Sequence, residues 1–300
     1  MGVIRTGGHF EFYRYTPSVP AACVFIGLFA VSSVLYTDQI ARSRAGVMIP
    51  FLLGGYCESI GYIGRIISSN QAPDFTIGPY LLMNMLTLVA PALFAATIYM
   101  CLSRIIRTMG GEKYSLVRPS LLTGIFVTGD IMGLVVQGAG AGYIAAGTLG
   151  DYYTGSKVVI AGLALLVASF GLFVIIALHL DIRVRHAPTA EAMSTALNWR
   201  QYLMVVYGGC ILIFIRSVFR LVEYAQGNAG WLIRHEWTFY VFDAMLMFAV
   251  MVLFNVFHPI AIKAAVDVRR FVRRWHSGSV NSEGPIKPDS GNLPSINITE

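Results

Sequence analysis

Seven long apolar stretches, separated by short polar loops, make up most of this chain. A helix needs about 20 predominantly apolar residues to cross the hydrocarbon core of a membrane, and within lipid a single span can satisfy its own backbone only as a helix. The pattern therefore predicts an all-α membrane protein, a bundle of seven transmembrane helices. The predicted spans are residues 18–36, 46–68, 79–103, 120–145, 157–179, 202–222 and 238–257.

The remaining segments are assigned by their composition. Residues 1–17 are predicted to form an extracellular N-terminal tail, and residues 18–262 contain the membrane domain. Residues 263–276 are a basic juxtamembrane segment, which we expect to contact the anionic lipids of the inner leaflet. Residues 277–300 are rich in Ser, Gly, Pro and Asn, a composition typical of a disordered tail.

The overall composition supports the same class of protein. The chain is 56% hydrophobic and 13% charged, whereas a soluble domain has about 25% charged residues. The net charge of +6 does not indicate nucleic acid as a partner, because the basic residues lie in short loops beside apolar spans. We expect membrane lipids as partners, and the sequence leaves the oligomeric state open.

The distribution of Lys and Arg predicts the orientation. The first, third and fifth loops together with the C-terminal tail hold fifteen of these residues, whereas the N-terminal tail and the other three loops hold three. Basic residues concentrate in cytoplasmic loops. The N-terminus is therefore predicted to lie outside and the C-terminus in the cytoplasm.

Several spans contain ionisable or amide side chains that are costly in lipid. A charged group at the bilayer centre costs about 2.5–3.5 kcal/mol even on the translocon-insertion scale, and such groups usually face a partner or a wet cavity. The predicted orientation places all of them in the middle to outer part of the membrane. We consider them as candidate residues for lipid binding or coupling: Glu58, Arg65, Asp130, Gln137, Arg216, Arg220, Glu223 and Asp243.

Two explanations of this set remain open. The side chains could form an interhelical lattice of ion pairs that holds the bundle together, or they could line a polar cavity. Glu58 and Arg65 share one helix face but lie about 10 Å apart along the axis, so each requires a partner on another helix. The number of ionisable groups favours a cavity, because packing alone does not require so many.

Small residues and one proline are candidates for helix packing and shape. The fourth span contains Gly129-x-x-x-Gly133 and Gly138-x-x-x-Gly142, a spacing that lets membrane helices approach closely. Pro91 removes one backbone hydrogen bond from the third span and is predicted to kink it.

No pattern for catalysis or cofactor binding is present in the sequence. It contains no His/Cys metal-ligand spacing, no nucleophile elbow and no phosphate-binding glycine loop. We therefore expect no catalytic residues, no metal and no cofactor, and a protein that is not an enzyme.

Motifs in five of the spans resemble those of a known family, the fungal RTA-like lipid-translocating exporters. They are Glu58-x-x-Gly61-Tyr62-x-x-Arg65, Ala90-Pro91-Ala92-Leu93-Phe94-Ala95-Ala96-x-x-Tyr99, Asp130-x6-Gln137-x-x-Gly140-x-Gly142, Arg216-x-x-Phe219-Arg220-x-x-Glu223, Glu236-x3-Tyr240-x-x-Asp243 and His258-Pro259. The resemblance covers roughly residues 12–262.

The resemblance implies a fungal seven-span protein of the plasma membrane or an endomembrane. Its substrates would be amphipathic lipids or lipid-like toxins, such as sphingoid long-chain bases and toxic sterols, and its action would give resistance to them. Glu58 and Asp130 would then receive an amine or a proton. Arg65, Arg216 and Arg220 would hold these carboxylates ionised or contact an anionic headgroup.

A receptor remains an alternative to a transporter. Seven spans with an external N-terminus are also the topology of receptors, and the same cavity would then sense a lipid or regulate lipid asymmetry without moving it. Transport by purified protein in liposomes distinguishes the two.

Overall fold

The structure is a computed structural model that describes residues 18–43, 46–71, 76–108, 119–146, 149–186, 199–227 and 230–257. It contains seven long helices: α1 (Val19–Ser43), α2 (Ile49–Asn70), α3 (Ile77–Thr108), α4 (Pro119–Ala146), α5 (Leu149–His186), α6 (Trp199–Gln226) and α7 (Glu236–Val256). A short 3₁₀ turn, Gly46–Met48, precedes α2, and a single helical turn, Trp231–Arg234, precedes α7. The predictions for residues 1–17, 263–276 and 277–300 lie outside the described residues.

The prediction of seven apolar helices is confirmed. Each helix contains a segment long and apolar enough to cross a membrane, so this is an integral, multi-pass membrane protein. Most of the helices extend beyond the predicted spans, and α5 begins at Leu149 rather than at 157. Hydropathy detects only the part of a helix in hydrocarbon, whereas the helix itself continues into the interface. Which end faces the cytoplasm stays a prediction.

The two ends of the bundle can be named by their residues. Ser18, just before α1, and Glu236, at the start of α7, are hydrogen-bonded to each other, and Glu236 also contacts Arg65 near the end of α2. We call this the Ser18 end. The opposite end, where α1 finishes, is the Ser43 end. Helix α2 therefore runs antiparallel to α1 and α7.

Helix α7 is not a regular α-helix. Its segment Tyr240–Met245 is a π-helix, between the α-helical turn Glu236–Phe239 and the α-helical segment Leu246–Val256. Short π segments widen a helix locally and occur frequently at functional sites. This one contains Asp243.

Helices α4 and α5 pack closely through glycines. A Cβ atom at Gly140 would lie 2.7 Å from the backbone nitrogen of Val159 and 2.8 Å from the carbonyl oxygen of Gly155. At Gly133, a Cβ atom would lie 2.7 Å from the side chain of Leu166. Only glycine permits this approach, as is common between membrane helices.

The second glycine motif does not pack against another described helix of the bundle. A Cβ atom built at Gly138 or Gly142 would meet no atom within 4 Å in the described part of the chain, apart from the local backbone of α4. One built at Gly129 would contact Ser169 on α5. The rotation of α4 about its axis directs Gly129, Gly133 and Gly140 towards α5. It leaves Gly138 and Gly142 on the outer surface.

Two groups of aromatic side chains fill the interior. Phe51 lies 4.5 Å from Phe94 and 5.0 Å from Phe254 between ring centroids, which joins α2, α3 and α7. Tyr99 and Phe173 join α3 and α5, with ring centroids 4.4 Å apart. Since lipid tails are as apolar as these side chains, the contribution of such contacts comes from packing rather than from transfer out of water.

We predict that Gly140→Ala separates α4 from α5, whereas Gly138→Ala leaves the bundle unchanged. The new methyl group at position 140 meets the backbone of α5, which cannot move aside as a flexible side chain can, and overpacking of this kind costs about 1–3 kcal/mol. The thermal midpoint of each purified variant in detergent measures the effect. Equal midpoints for the two variants would contradict the α4–α5 contact described above.

Candidate functional site

Asp243 is the centre of a buried network of ion pairs. Its side chain is completely buried. One carboxylate oxygen accepts a hydrogen bond of 3.0 Å from Arg220 Nε and the other accepts one of 3.0 Å from Arg220 Nη2. Arg216 Nε lies 2.7 Å from Asp243 Oδ1, an ion pair that is not aligned as a hydrogen bond. One carboxylate therefore joins α7 to two arginines of α6.

Pro91 makes a backbone hydrogen-bond acceptor available to Arg216. A proline has no backbone N–H, so the carbonyl oxygen four residues earlier loses its helical partner. That residue is Thr87, and its carbonyl oxygen accepts a hydrogen bond from Arg216 Nη2. The Thr87 hydroxyl also accepts a bond of 3.4 Å from Arg220 Nη2. The guanidinium groups of α6 are thus held where Pro91 leaves a backbone carbonyl of α3 without its helical partner. Helix α3 itself continues through Pro91 to Thr108.

Glu223 completes the charge balance of this network. Its carboxylate accepts a hydrogen bond of 2.9 Å from Arg220 Nη1, one turn away on the same helix. Arg216 and Arg220 therefore face two carboxylates, those of Asp243 and Glu223. The four side chains were predicted from their positions in the spans, and the structure brings all of them together.

Arg65 forms a second ion pair nearer the Ser18 end. Its Nη2 lies 2.8 Å from Glu236 Oε1, and its Nε donates a hydrogen bond of 3.1 Å to the Tyr240 hydroxyl. The Phe239 ring contacts two guanidinium groups, with Arg65 Cζ 4.5 Å and Arg220 Cζ 4.9 Å from its centroid. This ring links the Arg65 pair to the Asp243 network through cation–π contacts.

Glu236 is a site residue that the sequence reasoning missed, although one of the family motifs contains it. The predicted seventh span began at 238, which placed Glu236 in a loop. Its position could have identified it, because a residue seven positions before Asp243 lies two helical turns away on the same face. Tyr99, which contacts Asp130, was also missed, although it lies in a predicted span and in a family motif.

Within the described residues Glu58 has no direct partner, contrary to the expectation that another helix would supply one. Its side chain is completely buried, and neither carboxyl oxygen has a hydrogen-bond partner among the residues that the structure describes. It lies near enough to Asp243, Arg216 and Arg220 to interact with their charges. Those two arginines are already held by Asp243, Glu223 and Thr87.

Asp130 lies in a cleft on the other side of Arg216. The cleft has an empty volume of about 410 Å³, and part of that volume is open to the outside. The Asp130 carboxyl is 4% exposed and accepts a hydrogen bond of 2.9 Å from the Tyr99 hydroxyl. Helices α3 to α6 contribute the lining: Leu88, Pro91, Ala92, Ala95, Asp130, Leu163, Leu166, Phe170, Ile213, Arg216 and Ser217.

Gln137 lies apart from both the network and the cleft. Gly162 of α5 packs against it, since a Cβ atom there would lie 2.7 Å from Gln137 Cγ. Neither polar atom of its amide has a hydrogen-bond partner within the described residues. The eight predicted residues therefore do not line a single cavity. Arg216, Arg220, Glu223 and Asp243 form the buried network, and Arg65 pairs with Glu236. Asp130 lies in the cleft, whereas the polar atoms of Glu58 and Gln137 have no hydrogen-bond partner among the described residues.

We predict that Asp243→Asn destabilises the protein by about 3–5 kcal/mol, because removing one partner of a buried ion pair leaves its charged partners uncompensated. The matched control is Asp38→Asn. Asp38 forms an ion pair with Arg42 at 2.9 Å, but both side chains are largely exposed, so little change is expected. Denaturant unfolding in detergent micelles measures both variants. A loss for Asp243→Asn no greater than that of the control would contradict the role of the network.

Comparison with known proteins identifies the family. The model of the RTA1 like protein family matches residues 51–265. Protoporphyrin uptake protein 1 of Saccharomyces cerevisiae is 34% identical over 287 residues, which cover 84% of this chain and 93% of the relative. Protein RTA1 of the same organism is 30% identical over 315 residues, covering 97% and 95%.

A third relative carries a more specific description. The sphingoid long-chain base transporter RSB1 of Saccharomyces cerevisiae is 28% identical over 279 residues, which cover 81% of this chain and 72% of the relative. No solved structure matches the chain. The match to the family model spans α2 to α7 and every ion pair of the buried network described above, and the chain belongs to the RTA1-like family of membrane proteins.

Proposed function

We propose that this protein binds amphipathic lipids that carry a cationic amine, such as sphingoid long-chain bases, and moves them across the membrane. The cleft between α3, α4, α5 and α6 is the proposed binding site. The observation that carries this proposal is a carboxyl group, that of Asp130, in an otherwise mostly apolar cleft.

The lining of the cleft suits the alkyl chain of a lipid. Leucine, isoleucine, alanine and phenylalanine side chains form most of its surface. An alkyl chain can pack against these groups without leaving a polar atom unsatisfied.

The balance of charge favours a cation over an anion. Arg216 also lines the cleft, but its guanidinium is already held by Asp243 and by the Thr87 carbonyl. Asp130 accepts a hydrogen bond only from Tyr99 and has no cationic partner in the described ranges. An amine placed beside Asp130 would supply the missing positive charge.

Ser217 offers a second polar contact for a headgroup. Its hydroxyl donates a hydrogen bond of 2.8 Å to the Ile213 carbonyl of its own helix, and a hydroxyl oxygen can still accept a bond from a ligand. A headgroup with an amine and a neighbouring hydroxyl would therefore find a partner for each. This pattern of groups is the one that sphingoid bases carry.

The relatives support transport rather than sensing. One is described as a sphingoid long-chain base transporter and another as an uptake protein for protoporphyrin. A long-chain base and a porphyrin both combine a large apolar body with charged groups. The proposed location is the plasma membrane, where removal of a toxic amphiphile would give resistance to it.

We predict that Asp130→Asn lowers the flux of a sphingoid base in liposomes about tenfold or more, since a hydrogen bond to a charged group contributes about 1.5–3 kcal/mol. The second substrate is the N-acetylated base, which has no cationic amine. Wild-type protein should prefer the free base, and the variant should lose that preference. A lost preference reports recognition of the amine, which damage to the fold alone would not produce.

The matched control is Tyr99→Phe, which removes the hydrogen bond to Asp130 but keeps the carboxyl, so the preference for the free base should remain. Unchanged flux in Asp130→Asn, with a normal protein level, would remove Asp130 from the mechanism. Binding of the base by wild-type protein without flux would favour the receptor or regulator.

A further inference from the structure

Four polar side chains, each with a solvent-shielded atom that lacks a partner among the described residues, form a row between Glu58 and the Ser43 end of the bundle. The row passes along the interface of α1, α2 and α7. Its members are Glu58, Ser33, Asn255 and Gln39, and each has at least one polar atom that is shielded from solvent and without a hydrogen-bond partner in the described chain. None of these atoms contributes to the cleft or to the Asp243 network.

The first step of the row is from Glu58 to Ser33. Gly55 lies three residues before Glu58, on the same face of α2. A Cβ atom at Gly55 would lie 2.5 Å from Ser33 Oγ and 2.6 Å from Met251 Cε. The missing side chain of Gly55 therefore brings the Ser33 hydroxyl of α1 against α2, one turn below the Glu58 carboxyl.

The second step leads to the surface. Asn255 Nδ2 donates a hydrogen bond of 2.6 Å to Ser32 Oγ, next to Ser33 in the chain. The backbone carbonyl oxygen of Asn255 accepts one of 3.2 Å from Gln39 Nε2. The side-chain oxygens of Asn255 and Gln39 are left unpaired. Gln39 is itself partly exposed, so the row reaches the Ser43 end.

Towards the Ser18 end, most polar side chains are paired with one another. Arg65 contacts Glu236 and Tyr240 there, and the rings of Phe25 and Tyr240 stack with their centroids 5.3 Å apart. The hydroxyl groups of Tyr62 and Ser68 also lack partners among the described residues. Arg65 lies between Ser68 and Glu58 along α2, so these hydroxyls do not form a continuous row to the surface.

Unpaired polar atoms of this kind require a partner. A buried donor or acceptor without one costs about 1–3 kcal/mol, and interior sites with several such atoms commonly hold water that makes about three hydrogen bonds. Apolar side chains would pack α1 against α7 without this cost. The row is therefore better explained by water than by packing.

We propose that Glu58, Ser33, Asn255 and Gln39 line a water path that connects the Glu58 carboxyl to the Ser43 end of the bundle and to that end only. The path gives Glu58 proton exchange with one side of the membrane, which the predicted orientation identifies as the cytoplasm. The charged and titratable groups around Glu58 are Asp243, Arg216 and Arg220 on the facing helices and Cys57 and Tyr62 on its own. This proposal concerns α1, α2 and α7 and does not depend on the lipid cleft.

Cysteine labelling tests the path in the folded protein without a substrate. Ser33→Cys is made in a background with Cys23→Ala and Cys57→Ala, which leaves the buried Cys101 and Cys210 as internal references. The matched control is Ser59→Cys, because the Ser59 hydroxyl is also buried but is satisfied by the Gly55 carbonyl at 3.1 Å. The probe is a small cationic methanethiosulfonate reagent, added to one side of oriented proteoliposomes.

We expect Ser33→Cys to react about tenfold faster than Ser59→Cys, since a thiol must reach water to form the reactive thiolate. The reaction should occur only from the side of the Ser43 end. Equal rates for the two positions would overturn the water path, and faster labelling from the Ser18 end would overturn its direction.

A second measurement uses the unmodified protein, in case the serine variants do not fold. Met247 and Met251 are both completely buried on α7, one turn apart, and Met251 Cε would lie 2.6 Å from a Cβ atom at Gly55, beside Ser33. Radiolytic footprinting oxidises side chains next to bound water. We expect Met251 to be oxidised several-fold faster than Met247, and equal oxidation would contradict the proposal. Either failure would leave the test of Asp130 in the cleft unaffected.

Discussion

The pairing of the Asp243 carboxylate with two arginines holds the interior together at the junction of α3, α6 and α7. In lipid the helices gain nothing from leaving water, so buried polar contacts have a large share in fixing how they pack. Asp243 fixes α7 relative to α6. The Thr87 carbonyl, free because of Pro91, fixes α6 relative to α3. Three helices are thereby held in one arrangement by a set of charges that balances to zero.

This balance separates the structural charges from those available for function. Arg216 and Arg220 are matched by Asp243 and Glu223, and Arg65 is matched by Glu236. Glu58 and Asp130 are left over, because neither has an ion-pair partner in the part of the chain that the structure describes. One lies at the end of a polar row, and the other in an apolar cleft. Of the two explanations that the sequence left open, the lattice of ion pairs describes the paired residues, whereas a cavity is a proposal for the remaining two.

Hydropathy and the spacing of charges predict most of the fold and much of this network from the sequence. Seven helices and the pairing of the arginines with intramembrane carboxylates follow from the cost of isolated charges in lipid. The rotation of each helix about its axis does not follow, and it explains why Gly140 packs against α5 while Gly138 does not. The role of Thr87 was missed because it depends on a backbone oxygen rather than on a side chain. Counting four residues back from Pro91 would have identified that oxygen. The π segment that carries Asp243 has no evident signal in the sequence.

Photo-crosslinking shows directly whether the cleft holds an amphipathic amine. The probe is a sphingoid base with a diazirine in its alkyl chain, added to the purified protein in nanodiscs, followed by mass spectrometry of the labelled peptides. We expect labelling to concentrate on the cleft walls at Ala92, Leu166 and Ile213, and excess unlabelled base to remove it. Labelling that is confined to the outer surface of the bundle, or that the unlabelled base does not reduce, would contradict it.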